Sequence, residues 1–182
     1  MDTIVLDIET KYTFGEVGGA ENIDKLGISV VGIYSYKKDE YYCYGEDEFD
    51  ALTKLLSEPA ILVGFRSNKF DLPILNLELN LSLFDYPRVD LSDEVERQAG
   101  RLVRLDALAQ TNLGVGKSGS GILAPKMYWD GEIEKLKSYC LQDVRLTKDL
   151  YDLARTKKQL LVPNKHSEKI DKITVEFTNL PW

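Results

Sequence analysis

Residues 3–9 read T-I-V-L-D-I-E, a strict alternation. In an extended chain, successive side chains point to opposite faces. Ile4, Leu6 and Ile8 then share one face, and Val5, Asp7 and Glu9 share the other. A strand with one wholly apolar face has to lie against a core. The same strand therefore brings two carboxylates side by side onto its second face, and any fold for this chain has to accommodate them.

The rest of the chain supplies partners for such a strand. Residues 27–36 (G-I-S-V-V-G-I-Y-S-Y) and 40–45 (E-Y-Y-C-Y-G) read as two more strands, joined into a hairpin by K-K-D. Residues 46–57 begin acidic and carry Phe49, Leu52, Leu55 and Leu56 at helical spacing. Residues 60–65, A-I-L-V-G-F, form an unbroken apolar run suited to a buried, parallel strand. A turn and a helix follow, with Pro73 in the first turn. A short segment at 89–92 leads into another helix, and 104–112 reads as one more. Residues 113–125 are a Gly/Ser-rich loop, and 130–159 form one long helix with Asp130 as its N-cap. K-I-T-V-E-F at 172–177 alternates like an edge strand within a C-terminal extension, 160–182. The order predicts one α/β domain over 1–182, with a central mixed sheet flanked by helices.

Composition narrows the functional classes. Net charge is −7 and the pI is about 4.9, so no basic face for coating long nucleic acid is expected. Cys43, Cys140 and His166 are too few and too scattered for a structural zinc site or a disulfide framework. Both thiols are expected reduced, as in a cytoplasmic protein. The N-terminus lacks the pattern of a signal peptide, and no apolar run reaches transmembrane length, so no membrane partner is expected. G-V-G-K-S-G-S-G at 114–121 contains G-K-S, but a P-loop needs a Gly where Thr111 stands.

Four acids occupy suggestive positions. Asp7 and Glu9 share a strand face, Asp71 follows the apolar strand, and Asp143 lies on the long helix one turn after Tyr139. Each is unremarkable alone: a solvated strand face, a helix cap, a half-buried aromatic, a solvated helix position. Gathered in a low-dielectric cleft they would repel one another unless cations neutralised them. An all-oxygen set of four suits two Mg²⁺ or Mn²⁺ ions, which can clamp the attacking and leaving oxygens of a phosphodiester displacement.

D-I-E-T at 7–10, F-D-L-P at 70–73 and Y-C-L-Q-D at 139–143, in that order, resemble the three motifs of the DEDD superfamily of 3′–5′ exonucleases. That superfamily has a ribonuclease H-like fold. Y-x-x-x-D is similar to its tyrosine (DEDDy) branch, which includes the proofreading domain of family B DNA polymerases. The likeness extends over about 5–155, and 117–151 also resemble small stand-alone exonucleases of bacteria and phages.

The resemblance implies a role for each motif residue. Asp7 would bridge two metals, Glu9 and Asp143 would complete the first site, and Asp71 would hold the second through water. Tyr139 would position the attacking water; an ordinary tyrosine, with a pKa near 10, is a poor base alone. The implied activity is two-metal hydrolysis from a free 3′ end, releasing nucleoside 5′-monophosphates. Single-stranded DNA is the favoured substrate, with RNA as the alternative. Thr10, Arg66, Asn68, Phe70, Lys117 and Ser118 are the expected nucleic-acid contacts, and Phe14 and Tyr128 are further aromatic candidates for gripping a single strand. The second motif departs from the family pattern. An Asn usually stands four or five residues before its Asp, where this chain has Ser67 and Arg66, with Asn68 three before. Two rival readings keep the fold and change the function: a non-catalytic interaction module, and an endonuclease or resolvase.

Overall fold

The computed structural model describes residues 1–115, 123–164 and 169–177. Five strands form the central sheet: β1 (Asp2–Thr10), β2 (Ile28–Ser35), β3 (Glu40–Gly45), β4 (Ala60–Gly64) and β5 (Arg88–Asp90), in the order β3-β2-β1-β4-β5. β1 pairs antiparallel with β2 and parallel with β4; β2–β3 is antiparallel and β4–β5 parallel. The sheet is mixed, as the sequence predicts, and β4 is the buried parallel strand.

The alternation along β1 sorts its side chains between two cores. Ile4, Leu6 and Ile8 meet Leu52 and Leu56 of α1 (Phe49–Leu56) and Leu72 and Leu75 of α2 (Asp71–Leu79). Val5 faces the opposite layer, with Val144, Leu146, Leu150 and Tyr151 of α6 (Ile133–Lys157). Each leucine buried in this way contributes roughly 1.5–3 kcal/mol over its exposed state. Helices α3 (Leu91–Ala99), α4 (Leu105–Leu113) and α5 (Leu123–Trp129) complete the helical layers. None of the described helices is long and apolar enough to cross a membrane.

Three elements differ from the sequence reading. First, α5 begins inside the stretch read as a Gly/Ser loop. Second, the long helix starts at Ile133, and Asp130 does not cap it; Asp130 instead pairs with Lys126 one turn before. Gly131, with φ of 75°, breaks the chain between α5 and α6. Third, the chain beyond α6 forms a two-stranded hairpin of its own, where the sequence reading has one edge strand over 172–177. Its strands are β6 (Gln159–Pro163) and β7 (Ile170–Thr174). Asn112 of α4 pairs with both Leu161 N and Leu161 O, and Arg101 forms a 2.9 Å ion pair with Asp171.

One close approach fixes the position of α6. Asp7, Gly32 and Cys43 lie side by side across β1, β2 and β3. A Cβ on Gly32 would stand 2.8 Å from Cys140 Sγ and 2.9 Å from Val144 Cγ2. Hydrogen at Gly32 is thus what lets the helix settle onto the sheet. Gly32→Ala is expected to cost about 1–3 kcal/mol by overpacking, read as a lower urea midpoint with an unchanged slope. An unaltered midpoint would contradict the packing described.

Candidate functional site

Each candidate acid reaches its place by a separate local rule. Asp7 and Glu9 stand on the β1 face turned to α6. Asp143 is on the buried side of α6, with Cys140, Val144 and Thr147. Asp71 opens α2, just beyond the C-terminal end of β4, where open α/β sheets form clefts. One carboxylate oxygen each from Asp7, Glu9 and Asp143 lies within 4.8 Å of the others. Asp71 lines the same cleft of about 430 Å³, along with Phe14, Arg66 and Phe70.

Burial makes this arrangement costly without a counter-charge. Glu9 is 7% exposed, and Asp71 and Asp143 are 3%. Two unit charges 4–5 Å apart repel by roughly 3–4 kcal/mol at an effective dielectric near 20. Asp71 shows the strain. Removal from water pushes its pKa up to about 7, and the Asp90 and Asp143 carboxylates push the same way. A 3.0 Å hydrogen bond from Ile8 N to Asp71 Oδ1 opposes the rise and fixes the side chain to β1. Four carboxylates around one cleft, all oxygen donors, fit hard divalent cations.

Tyr139 lies one helical turn before Asp143, buried among Val30, Ala124, Met127 and Leu136. Cys140, the next residue, donates to Asp7 O at 3.4 Å and sits 3.8 Å from Asp7 Oδ2. Burial raises its pKa well above the usual thiol value, so it remains a neutral neighbour of Asp7.

The turn between β4 and α2 has its own organiser, Asp90. Its buried carboxylate caps α3 through Ser92 N and Asp93 N, and it also accepts from Arg66 N at 2.8 Å and Asn68 N at 2.9 Å. Arg66 takes a left-handed backbone, φ 64°, which that bond holds in place. A Cβ at Gly64 would fall 2.4 Å from Ser67 Cβ, so the turn folds back over a residue that must be glycine. Asp90 had no assigned role in the sequence reading. Its signal was present in D-L-S-D-E, an N-cap aspartate followed by acids in the first turn.

The expected nucleic-acid contacts fall in different settings. Arg66 is exposed at the cleft rim. Phe70 lines the cleft and meets Phe14 edge-on at 5.8 Å. Thr10 is buried, donating to Tyr12 O at 2.8 Å. Asn68 has its amide engaged by Asp93 and Arg88. Lys117 and Ser118, like His166, lie outside the described residues. Lys69, which the sequence did not single out, also lines the cleft, tied to Asp93 and Glu96.

Comparison with solved structures places this arrangement in a known fold. The family B DNA polymerase from the hyperthermophilic archaeon Pyrobaculum calidifontis matches with a TM-score of 0.66, at 18% identity, over 85% of this chain. The matched part is 24% of the polymerase, so the chain spans about a quarter of that protein's length. The fold is ribonuclease H-like. A family model described as a nucleopolyhedrovirus protein of unknown function (DUF919) matches residues 142–179. That stretch takes in Asp143 but none of the other three acids. No curated protein matches the chain.

The electrostatics give a signed pH dependence. Asp71 has a raised pKa, so its neutral form favours the fold. Its contribution is complete below about pH 4 and is lost as pH rises through about 7. Metal-free protein is therefore expected to lose thermal stability between about pH 4 and 7, and Asp71→Asn to flatten that loss. Parallel melting curves in chelator that decline equally for both proteins would contradict this.

Proposed function

We propose that this chain is a divalent-cation-dependent nuclease that removes nucleotides from the 3′ end of single-stranded nucleic acid, DNA in the first instance. The observation that carries the proposal is the convergence of Asp7, Glu9 and Asp143 within 4.8 Å, with Asp71 on the same cleft. These residues come from β1, α2 and α6, far apart in the chain, and are held together against their own repulsion. The fold likeness to a family B polymerase supports the reading, as does the order of D-I-E-T, F-D-L-P and Y-C-L-Q-D, which resembles the exonuclease motifs.

In this reading Asp7, Glu9, Asp71 and Asp143 hold two divalent cations, Mg²⁺ or Mn²⁺. When bound, such ions activate water and stabilise charge on a reacting phosphate. Water attacks the terminal phosphorus, the P–O3′ bond breaks, and a nucleoside 5′-monophosphate leaves. Tyr139, one turn from Asp143, orients the attacking water from the helix side. Arg66 at the rim meets a backbone phosphate, and Phe70 with Phe14 borders the space for the terminal nucleotide. In the same reading the activity is cytoplasmic.

Asp7→Asn is expected to lower hydrolysis of a 3′-labelled single-stranded oligomer about a thousandfold or more while leaving the far-UV spectrum unchanged. Mn²⁺ should raise the melting temperature of the wild type and not that of the variant. Wild-type rates in Asp7→Asn would remove the basis of the assignment. Cleavage of a circular single strand would replace it with an endonuclease, and absence of both cleavage and a Mn²⁺ response would favour an interaction module.

Tyr139→Phe is expected to reduce kcat about 10²-fold with little change in metal-induced stabilisation. An unchanged kcat would take Tyr139 out of the proposed chemistry.

A further inference from the structure

A second aromatic feature adjoins the cleft and has no part in the reaction described. Trp129, the last residue of α5, is 57% exposed, and Tyr12, just past the end of β1, is 36% exposed. Their ring centroids are 5.4 Å apart, inclined at 45°. Large rings normally leave water, so two kept in solvent beside a site call for a reason.

Trp129 is anchored from two sides. Trp129 Nε1 donates to Lys11 O at 2.8 Å. Tyr128 meets the Trp129 ring edge-on at 5.0 Å, and its hydroxyl donates to Glu46, which also pairs with Lys11. α5 is thereby braced against the chain leaving β1. The ledge is continuous with the acids. A smaller pocket, about 240 Å³, is bordered by Glu9, Thr10, Tyr12, Phe14, Phe70 and Pro125. Tyr12 is shared by pocket and ledge, and Glu9 and Phe14 are shared by that pocket and the acidic cleft.

Charge indicates which part of a strand this ledge would hold. The chain carries −7 overall. Among the described residues, the lysines beside the ledge are already matched: Lys11 with Glu46, Lys126 with Asp130, Lys137 with Glu48. At the ledge itself, phosphate contacts and counterion release then contribute little. Flat aromatic faces grip unpaired bases through stacking, whatever the base.

We infer that Tyr12 and Trp129 form a stacking platform for an unpaired base upstream of the 3′ terminus, so that the substrate must be single-stranded beyond its last nucleotide. The inference rests on the nuclease reading above and deepens it. Binding should fall only shallowly with salt, since stacking supplies the grip.

The test uses the full chain with Trp182→Phe, which leaves Trp129 as the sole tryptophan, titrated with a dT₁₂ oligomer in chelator. Trp129 emission should be quenched on binding. Trp129→Ala should weaken binding, followed by anisotropy of a labelled oligomer, about 5- to 150-fold, and Trp129→Phe should restore most of it. A single abasic nucleotide moved along the oligomer should weaken wild-type binding at one upstream position and leave Trp129→Ala indifferent to it. The inference is overturned by unquenched emission, by equal affinity in Trp129→Ala, or by absence of a sensitive position. Wild-type hydrolysis with those results leaves the nuclease reading standing. Quenching and positional sensitivity without hydrolysis in Mg²⁺ or Mn²⁺ would keep the platform and remove the nuclease.

Discussion

The structure depends on how closely α6 can approach the strand pair β1–β2. That separation is set at Gly32, where hydrogen stands in place of a side chain and Cys140 and Val144 fill the space. The residue beside Gly32 on β1 is Asp7, and the residue before Val144 on α6 is Asp143. One packing contact therefore fixes the distance between two carboxylates that would otherwise separate. The apolar layer supplies the compressive free energy, and the acids store part of it as repulsion. A cation bound among the acids would release that repulsion, which would couple the core to the site in a single energetic system.

Much of this was legible in the sequence, and the physical reasons are specific. The period-two pattern at 3–9 placed Asp7 and Glu9 on one face, because a strand leaves no other option. The run A-I-L-V-G-F announced a strand buried on both sides. The fold class followed from element order, and the mixed sheet with flanking helices is as expected. The spacing of Tyr139 and Asp143 put both on one side of a helix, and that side is buried.

What was missed depends on contacts that no local pattern carries. Asp130 has the composition of a cap, yet it is engaged by Lys126 because α5 ends just before it; the loop reading of 113–125 hid that helix. The first strand of the β6–β7 hairpin went unassigned in the C-terminal extension because Q-L-L-V-P is short and follows 25 helical residues without a strong break. Asn112 and Arg101, distant in sequence, show where it belongs, together with Leu160, Val162 and Ile173 in the core. Asp90 was visible as a cap but not as the clamp on Arg66 and Asn68, since backbone donors leave no mark on composition. The Tyr12–Trp129 ledge joins residues more than a hundred positions apart, so neither could be singled out in advance.

The hairpin has a consequence for the helix it follows. Lys158 ends α6 in a left-handed turn, and its carbonyl accepts from Val175 N, while β6 and β7 are pinned to α4 and to Arg101. A helix lying on a sheet can slide along its own axis, and a slip of one residue shifts each side chain by about 1.5 Å and turns it by about 100°. Such a slip would carry Asp143 away from Asp7 and turn Val144, Leu150 and Tyr151 out of the core. The C-terminal hairpin acts as an end-stop against it, setting the axial register of a helix whose important residue lies near its middle.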